Sequence, residues 1–139
     1  EAAYSGVEIN ADACKELTKI IGQENVFNGS IFNFPVVTKF DLSLIKGVLI
    51  HINPDMLNKV YEKLYEASNK YILVCEYYNP SPVKVSYRGH KDRLFKRDFA
   101  GELMERYSDL ILVDYGFVYR KDPVFPQDDV TWFLMKKGI

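Results

Sequence analysis

Apolar residues in this chain fall into short unbroken runs that alternate with stretches where they recur every third or fourth position, the pattern of strands alternating with helices. Tyr4 to Ile9 (YSGVEI) reads as a buried strand, after which Asn10 caps a helix running from Ala11 to about Gly22. Val26 to Asn28 is a short strand leading into Gly29-Ser30-Ile31, and Leu42 to Lys46 is the next strand. Asn53 as N-cap, Pro54 at the first helical position and Asp55 in the first turn mark a helix start by three independent signals. Met56, Leu57, Val60, Leu64 and Ala67 then recur at helical spacing. Tyr71 to Cys75 (YILVC) is continuously apolar, as in a strand covered on both faces. Asp98 caps a further helix with Phe99, Leu103 and Met104 inward, and Leu110 to Val118 with Val130 to Met135 are close enough to form a final antiparallel pair.

Strands alternating with helices predict an α/β fold, a mostly parallel sheet with helices on both faces and ligands at the carboxyl ends of the strands. With 139 residues, 47% of them hydrophobic, the chain can bury one core but not two, so residues 1–139 are expected to form a single domain. The net charge of -1 gives no global pull toward nucleic acid or an anionic membrane. No apolar run approaches the roughly 20 residues needed to span a bilayer, and no charged-then-apolar leader opens the chain, so a cytoplasmic location is expected. Cys14 and Cys75 lack any neighbour at metal-ligand spacing and read as small buried hydrophobes, with no metal expected.

Charge is uneven along the chain. From Lys84 to Arg97 there are six Lys or Arg against the single acid Asp92, a local +5 that leaves -6 for the remainder. Within the connection from 79 to 97, Arg88, His90, Arg93 and Lys96 can bind a carboxylate or phosphate, and Tyr77, Tyr78 and Tyr87 can stack on a ring. The plainer reading is a solvated basic loop. Glu8 closes the first strand, where an acid can accept two hydrogen bonds from a ribose or simply face water. His51 follows the strand at Leu42 to Lys46 and is a candidate base, since imidazole exchanges protons near neutral pH; it can equally pack beside the helix start. Glu76, ending its strand before Tyr77, Tyr78 and Asn79, is a second candidate, against a solvated strand end or a helix-dipole partner.

Val7-Glu8-Ile9-Asn10, Gly29-Ser30-Ile31, Phe40-Asp41 and the run from Lys46 to Ile52 fall in the order of the motifs of class I S-adenosylmethionine-dependent methyltransferases, which the chain resembles. More narrowly, KGVLIHINPDML, KLYEAS, EYYNP, YRGHKDRLFKRDFAGEL, LVDYGFVY and FPQDDVTWFL resemble the pseudaminic acid biosynthesis-associated methylases over nearly the whole chain. The resemblance implies a Rossmann-like fold and S-adenosylmethionine as cofactor. It implies that Glu8 holds the ribose, that Ile9 packs on the adenine with Ser30 and Ile31 at its polar edge, and that Lys46 and Gly47 lie along the methionine part. With methyl transfer as the expected activity, His51 and Glu76 are the candidate catalytic residues, and the resemblance together with the basic and aromatic stretch points to a small, anionic acceptor, an acidic or nucleotide-linked sugar of polysaccharide biosynthesis, met by Tyr78, Asn79, Arg88, His90 and Arg93. Neither nucleic acid nor membrane is expected as a partner.

In that family a strand and a Gly-rich turn come first, and none precedes Tyr4. The resemblance therefore implies a sheet lacking the fold's first strand and helix, with apolar edges that favour association of copies. Two other readings remain at this level: a non-catalytic binding or assembly module, and a nicotinamide-dependent enzyme with its fingerprint upstream.

Overall fold

A computed structural model describes residues 2–138, apart from the side chains of residues 91–93. The chain divides into two compact units, residues 1–37 and 38–139.

The first unit contains β1 (Gly6–Glu8), α1 (Ala11–Ile21) and β2 (Val26–Asn28). β1 and β2 pair in parallel, with Glu8 opposite Asn28. The Asn10 side chain accepts from the backbone N–H groups of Asp12 and Ala13 at 2.9 and 3.0 Å, so the cap legible in the sequence starts the helix. The carbonyl of Glu8 accepts from Gly29 N at 3.0 Å and from Asn28 Nδ2 at 3.0 Å, which ties the two strand ends together.

The second unit is built on a four-stranded sheet in the order β3 (Phe40–Lys46), β4 (Ser68–Glu76), β8 (Val130–Lys137), β7 (Leu110–Val118). β3 and β4 are parallel, joined by α2 (Leu57–Ala67), whereas β8 runs antiparallel to both of its neighbours. On β4 the alternate residues Ile72, Val74 and Glu76 are buried while Tyr71 and Leu73 are half-buried, so only one face of this strand is fully covered. α2 packs against β3 and β4 with Leu57, Val60, Tyr61 and Leu64 inward. α3 (Phe99–Arg106) packs against β4 and β7, burying Phe99, Ala100 and Leu103. Below α3, Arg97 pairs with Glu102 at 2.6 Å and the Tyr61 hydroxyl donates to the same carboxylate at 2.7 Å, so one of the six cations of the basic stretch is spent on structure. Lys137 acts likewise, donating to the carbonyls of Tyr65 and Ser68 at the carboxyl end of α2.

Two expectations change. The six forecast strands do not form one mostly parallel sheet: among the described residues β1–β2 is a sheet of its own, and the larger sheet has one parallel ladder and two antiparallel ones. No described strand pairs with both β1 and β3, and β8, which returns from β7 through a connection too short for a crossover, inserts beside β4 and adds a second antiparallel ladder. The basic connection is also no loop. Val83 to Tyr87 alternates apolar and polar residues and forms β5, pairing antiparallel with β6 (His90–Lys96). Arg88 and Gly89 between them have φ of 48° and 76°, the left-handed pair that a two-residue hairpin turn requires.

Candidate functional site

β3 and β4 both end at the same rim of the sheet, with Lys46 and Glu76 as their last residues. Gly47 follows with φ of 64°, a conformation open to glycine, and lets the chain turn into a short 3₁₀ segment, Leu49–His51. Leu49 and Ile50 plunge into the core while the exposed His51 stays at the rim. Glu76 is only 3% exposed, and its carboxylate accepts the backbone N–H groups of Val48 and Leu49 at 3.0 Å each and of Ile50 at 3.5 Å. Three donors that a helix start leaves unpaired are thus met by one anion on the neighbouring strand. Burial pushes the Glu76 carboxyl up to about 6, against the opposing pull of those backbone bonds.

Above this turn lies a cleft of about 220 Å³, lined among others by Lys46, Gly47, His51, Glu76, Tyr77 and Tyr87. The His51 ring centroid stands 5.8 Å from that of Tyr87, the last residue of β5. The connection between β7 and β8 supplies another wall. There Asp128 accepts the Tyr77 hydroxyl and Gln127 accepts the Lys46 ammonium. The hydrogen bond to Asp128, followed by burial, pushes Tyr77 up to about 12, so it remains a protonated donor through the physiological range. The Lys96 ammonium lies 5.3 Å from the centroid of the Tyr77 ring.

The structure brings six of the sequence-derived residues into this cleft: Lys46, Gly47, His51, Glu76, Tyr77 and Tyr87. Tyr78 instead packs against Phe133 at 5.7 Å, and the Asn79 side chain donates to the carbonyl of Ser81. Arg88 sits in the hairpin turn with its guanidinium over the Tyr87 ring, and exposed His90 pairs with Tyr87 across that turn. Neither Tyr78, Asn79, Arg88 nor His90 lines the cleft, and the side chain of Arg93 lies outside the described residues. Leu94 and Asp128 also line it, brought there by pairings that no local sequence pattern announces.

In the first unit, Glu8 stands at the carboxyl end of β1 and accepts from Asn10 N at 2.8 Å. Ile9 beside it is 72% exposed. Ser30 accepts from Phe32 N at 3.2 Å and so caps a 3₁₀ turn that includes Ile31. An anionic acceptor for the donor hydroxyls of a ribose, next to uncovered apolar surface for a base, fits an adenosine. Among the described residues no three or more His, Cys, Asp or Glu are grouped to hold a metal ion, and no helix is long and apolar enough to cross a membrane.

No protein-family model and no curated protein sequence matches the chain. Solved structures do. A Burkholderia thailandensis 1,6-didemethyltoxoflavin N1-methyltransferase, with its substrate and S-adenosylhomocysteine bound, superposes with a TM-score of 0.74 at 14% identity, over 99% of this chain and 62% of that one. The fold is that of S-adenosylmethionine-dependent methyltransferases. A Synechocystis magnesium protoporphyrin IX methyltransferase, also holding S-adenosylhomocysteine, gives a TM-score of 0.68 at 9% identity over 99% and 64% of the two chains. An S-adenosylmethionine-dependent methyltransferase from Clostridium acetobutylicum gives 0.66 at 12% identity over 98% and 76%. The chain therefore spans somewhat less than two thirds of the first two of these methyltransferases.

Proposed function

We propose that the protein transfers a methyl group from S-adenosylmethionine to a small acceptor. The observation that carries this reading is the cleft at the carboxyl ends of β3 and β4, with the exposed His51 on its rim, in a fold shared with methyltransferases that hold S-adenosylhomocysteine. The cofactor supplies an activated methyl on a sulfonium. What the chain must add is placement of a nucleophile and, for a hydroxyl or protonated amine, removal of a proton. His51 is the group for that task, on a turn fixed by Glu76 and beside the Tyr87 ring. Glu76 acts through that turn as a positioning residue, because its oxygens are already engaged by backbone donors. The resemblance names an acidic or nucleotide-linked sugar as acceptor, and the hairpin turn, where Arg88 carries the charge and His90 stands beside it, is the surface suited to it.

Glu8 is the residue for the cofactor's ribose, with Ile9 and Ile31 against the base and Ser30 at its polar edge. Calorimetric titration of the protein with S-adenosylhomocysteine is expected to show binding that Glu8→Ala weakens about 10- to 100-fold, the loss of charge-assisted hydrogen bonds worth roughly 1.5–3 kcal/mol. Undiminished affinity in that variant would remove Glu8 from the site.

Copies of the protein are proposed to associate through β7. This edge strand exposes Ile111, Val113, Tyr115 and Phe117 and carries one charge in nine residues. Sedimentation should show a concentration-dependent shift that Val113→Lys removes; a concentration-independent monomer would exclude it.

A further inference from the structure

The segment Gln127-Asp128-Asp129 is braced in a way that the fold alone does not require. Gln127 is held by Lys46 on one side. On the other, Asp129, at φ of 54°, accepts from the backbone N–H and the guanidinium of Arg120 at 2.9 and 2.8 Å. Val130, buried, then enters β8. Both neighbours of Asp128 are therefore pinned, and Asp128 between them remains exposed and faces the cleft. Its carboxylate offers about four acceptor sites, of which the Tyr77 hydroxyl occupies one. The other carboxylate of the cleft, Glu76, is committed to the backbone of residues 48–50.

Size narrows the occupant. Clefts for drug-sized ligands run from about 300 to 1,000 Å³, and this one measures about 220 Å³. It has room for a single substituted ring. Its lining joins aromatic faces, Tyr77 and Tyr87, to a carboxylate and an ammonium within one small volume. Aromatic surface takes the C–H face of a saturated ring, and a fixed carboxylate takes its hydroxyls.

We infer that Asp128 is the residue that selects the acceptor, by accepting hydrogen bonds from a single hydroxylated ring seated in the cleft lined by Tyr77 and Tyr87. The inference rests on the cleft being the acceptor site. It goes further in naming the group that reads the acceptor, and in setting the ring's charged substituent away from Asp128, since a carboxylate turned toward it would meet like charge.

The test is ligand-observed saturation-transfer NMR with the methyl glycosides of glucose, galactose and mannose as hydroxylated-ring probes and cyclohexanol as the hydroxyl-poor control. At least one glycoside is expected to bind, with affinity falling tenfold or more in Asp128→Ala and about threefold in Asp128→Asn, while cyclohexanol shows no effect of either change. The asparagine variant keeps the shape of the side chain and decides the matter if the alanine variant fails to fold. Binding of no glycoside, or glycoside affinity unchanged in Asp128→Asn, overturns the inference. A parallel titration with S-adenosylhomocysteine separates the two levels: glycoside binding without cofactor binding sinks the methyltransferase reading and leaves Asp128 as a ring-binding residue, whereas the reverse leaves the methyltransferase reading intact and removes Asp128 from acceptor selection.

Discussion

Replacing His51 by alanine should lower the rate of methyl transfer to a hydroxyl or amine acceptor by about 10²- to 10⁴-fold, the span associated with losing a positioned general base. The imidazole is at the rim of the cleft, on the last residue of a turn that is otherwise buried, so its removal leaves the core under Leu49 and Ile50 untouched. Affinity for S-adenosylhomocysteine is expected to stay within about twofold and the melting temperature within a few degrees. The most telling readout is the split by acceptor. His51→Ala should lower kcat for an acceptor that must lose a proton and leave methylation of a tertiary amine, which has none to lose, near the native rate. A variant that keeps native turnover on both would show that His51 only packs beside Tyr87.

Glu76→Ala is expected to cost about 2–4 kcal/mol, a large fraction of the roughly 5–15 kcal/mol that holds a domain together. The carboxylate is the partner of three backbone donors, and those of Leu49 and Ile50 are buried, so alanine leaves them unpaired in the interior. Stability should also carry the signature of this group's titration. Its carboxyl is raised from 4.5 in the unfolded chain to about 6 in the fold, so the native state binds the extra proton between those values. Stability is therefore greatest below about pH 4.5 as far as Glu76 is concerned, and falls by about 2 kcal/mol as pH rises through 6. Denaturant melts at pH 4.5 and pH 7 should show this fall in the native protein and not in Glu76→Gln. An equal pH response in both would mean that the carboxylate is better solvated than its burial implies. Because His51 closes the same turn, Glu76→Gln should also slow methyl transfer, alike for acceptors with and without a proton to lose, which separates a positioning role from proton transfer.

The elements that the sequence made legible are those with local causes. Asn53-Pro54-Asp55 starts a helix because its cap, its fixed φ and its first-turn acid act within three residues, and the structure begins a 3₁₀ turn there that continues as α2. Asp98 likewise accepts from Gly101 N and opens α3. The hairpin was hidden by its own composition. Lys and Arg in Val83 to Lys96 read as a solvated run, although Val83, Val85 and Tyr87 alternate and Arg88-Gly89 supplies the turn. The site was legible where strand ends define it, at Lys46, Gly47, His51 and Glu76, and in the aromatic residues Tyr77 and Tyr87 beside the basic stretch. That Glu76 clamps residues 48–50, and that Tyr77 meets Asp128 across 51 positions, depends on parallel register and on the insertion of β8, neither of which leaves a mark on adjacent residues.

The hairpin of β5 and β6 has a bearing on how this protein could diversify. It forms a sheet of its own, turns on Arg88 and Gly89, and lends the cleft Tyr87 and Leu94. Its tip can lengthen, shorten or change charge without breaking a ladder of the four-stranded sheet. The turn at Arg88-Gly89 can then vary in length and charge while Leu94 and Phe95 of β6 stay buried against the segment that carries His51.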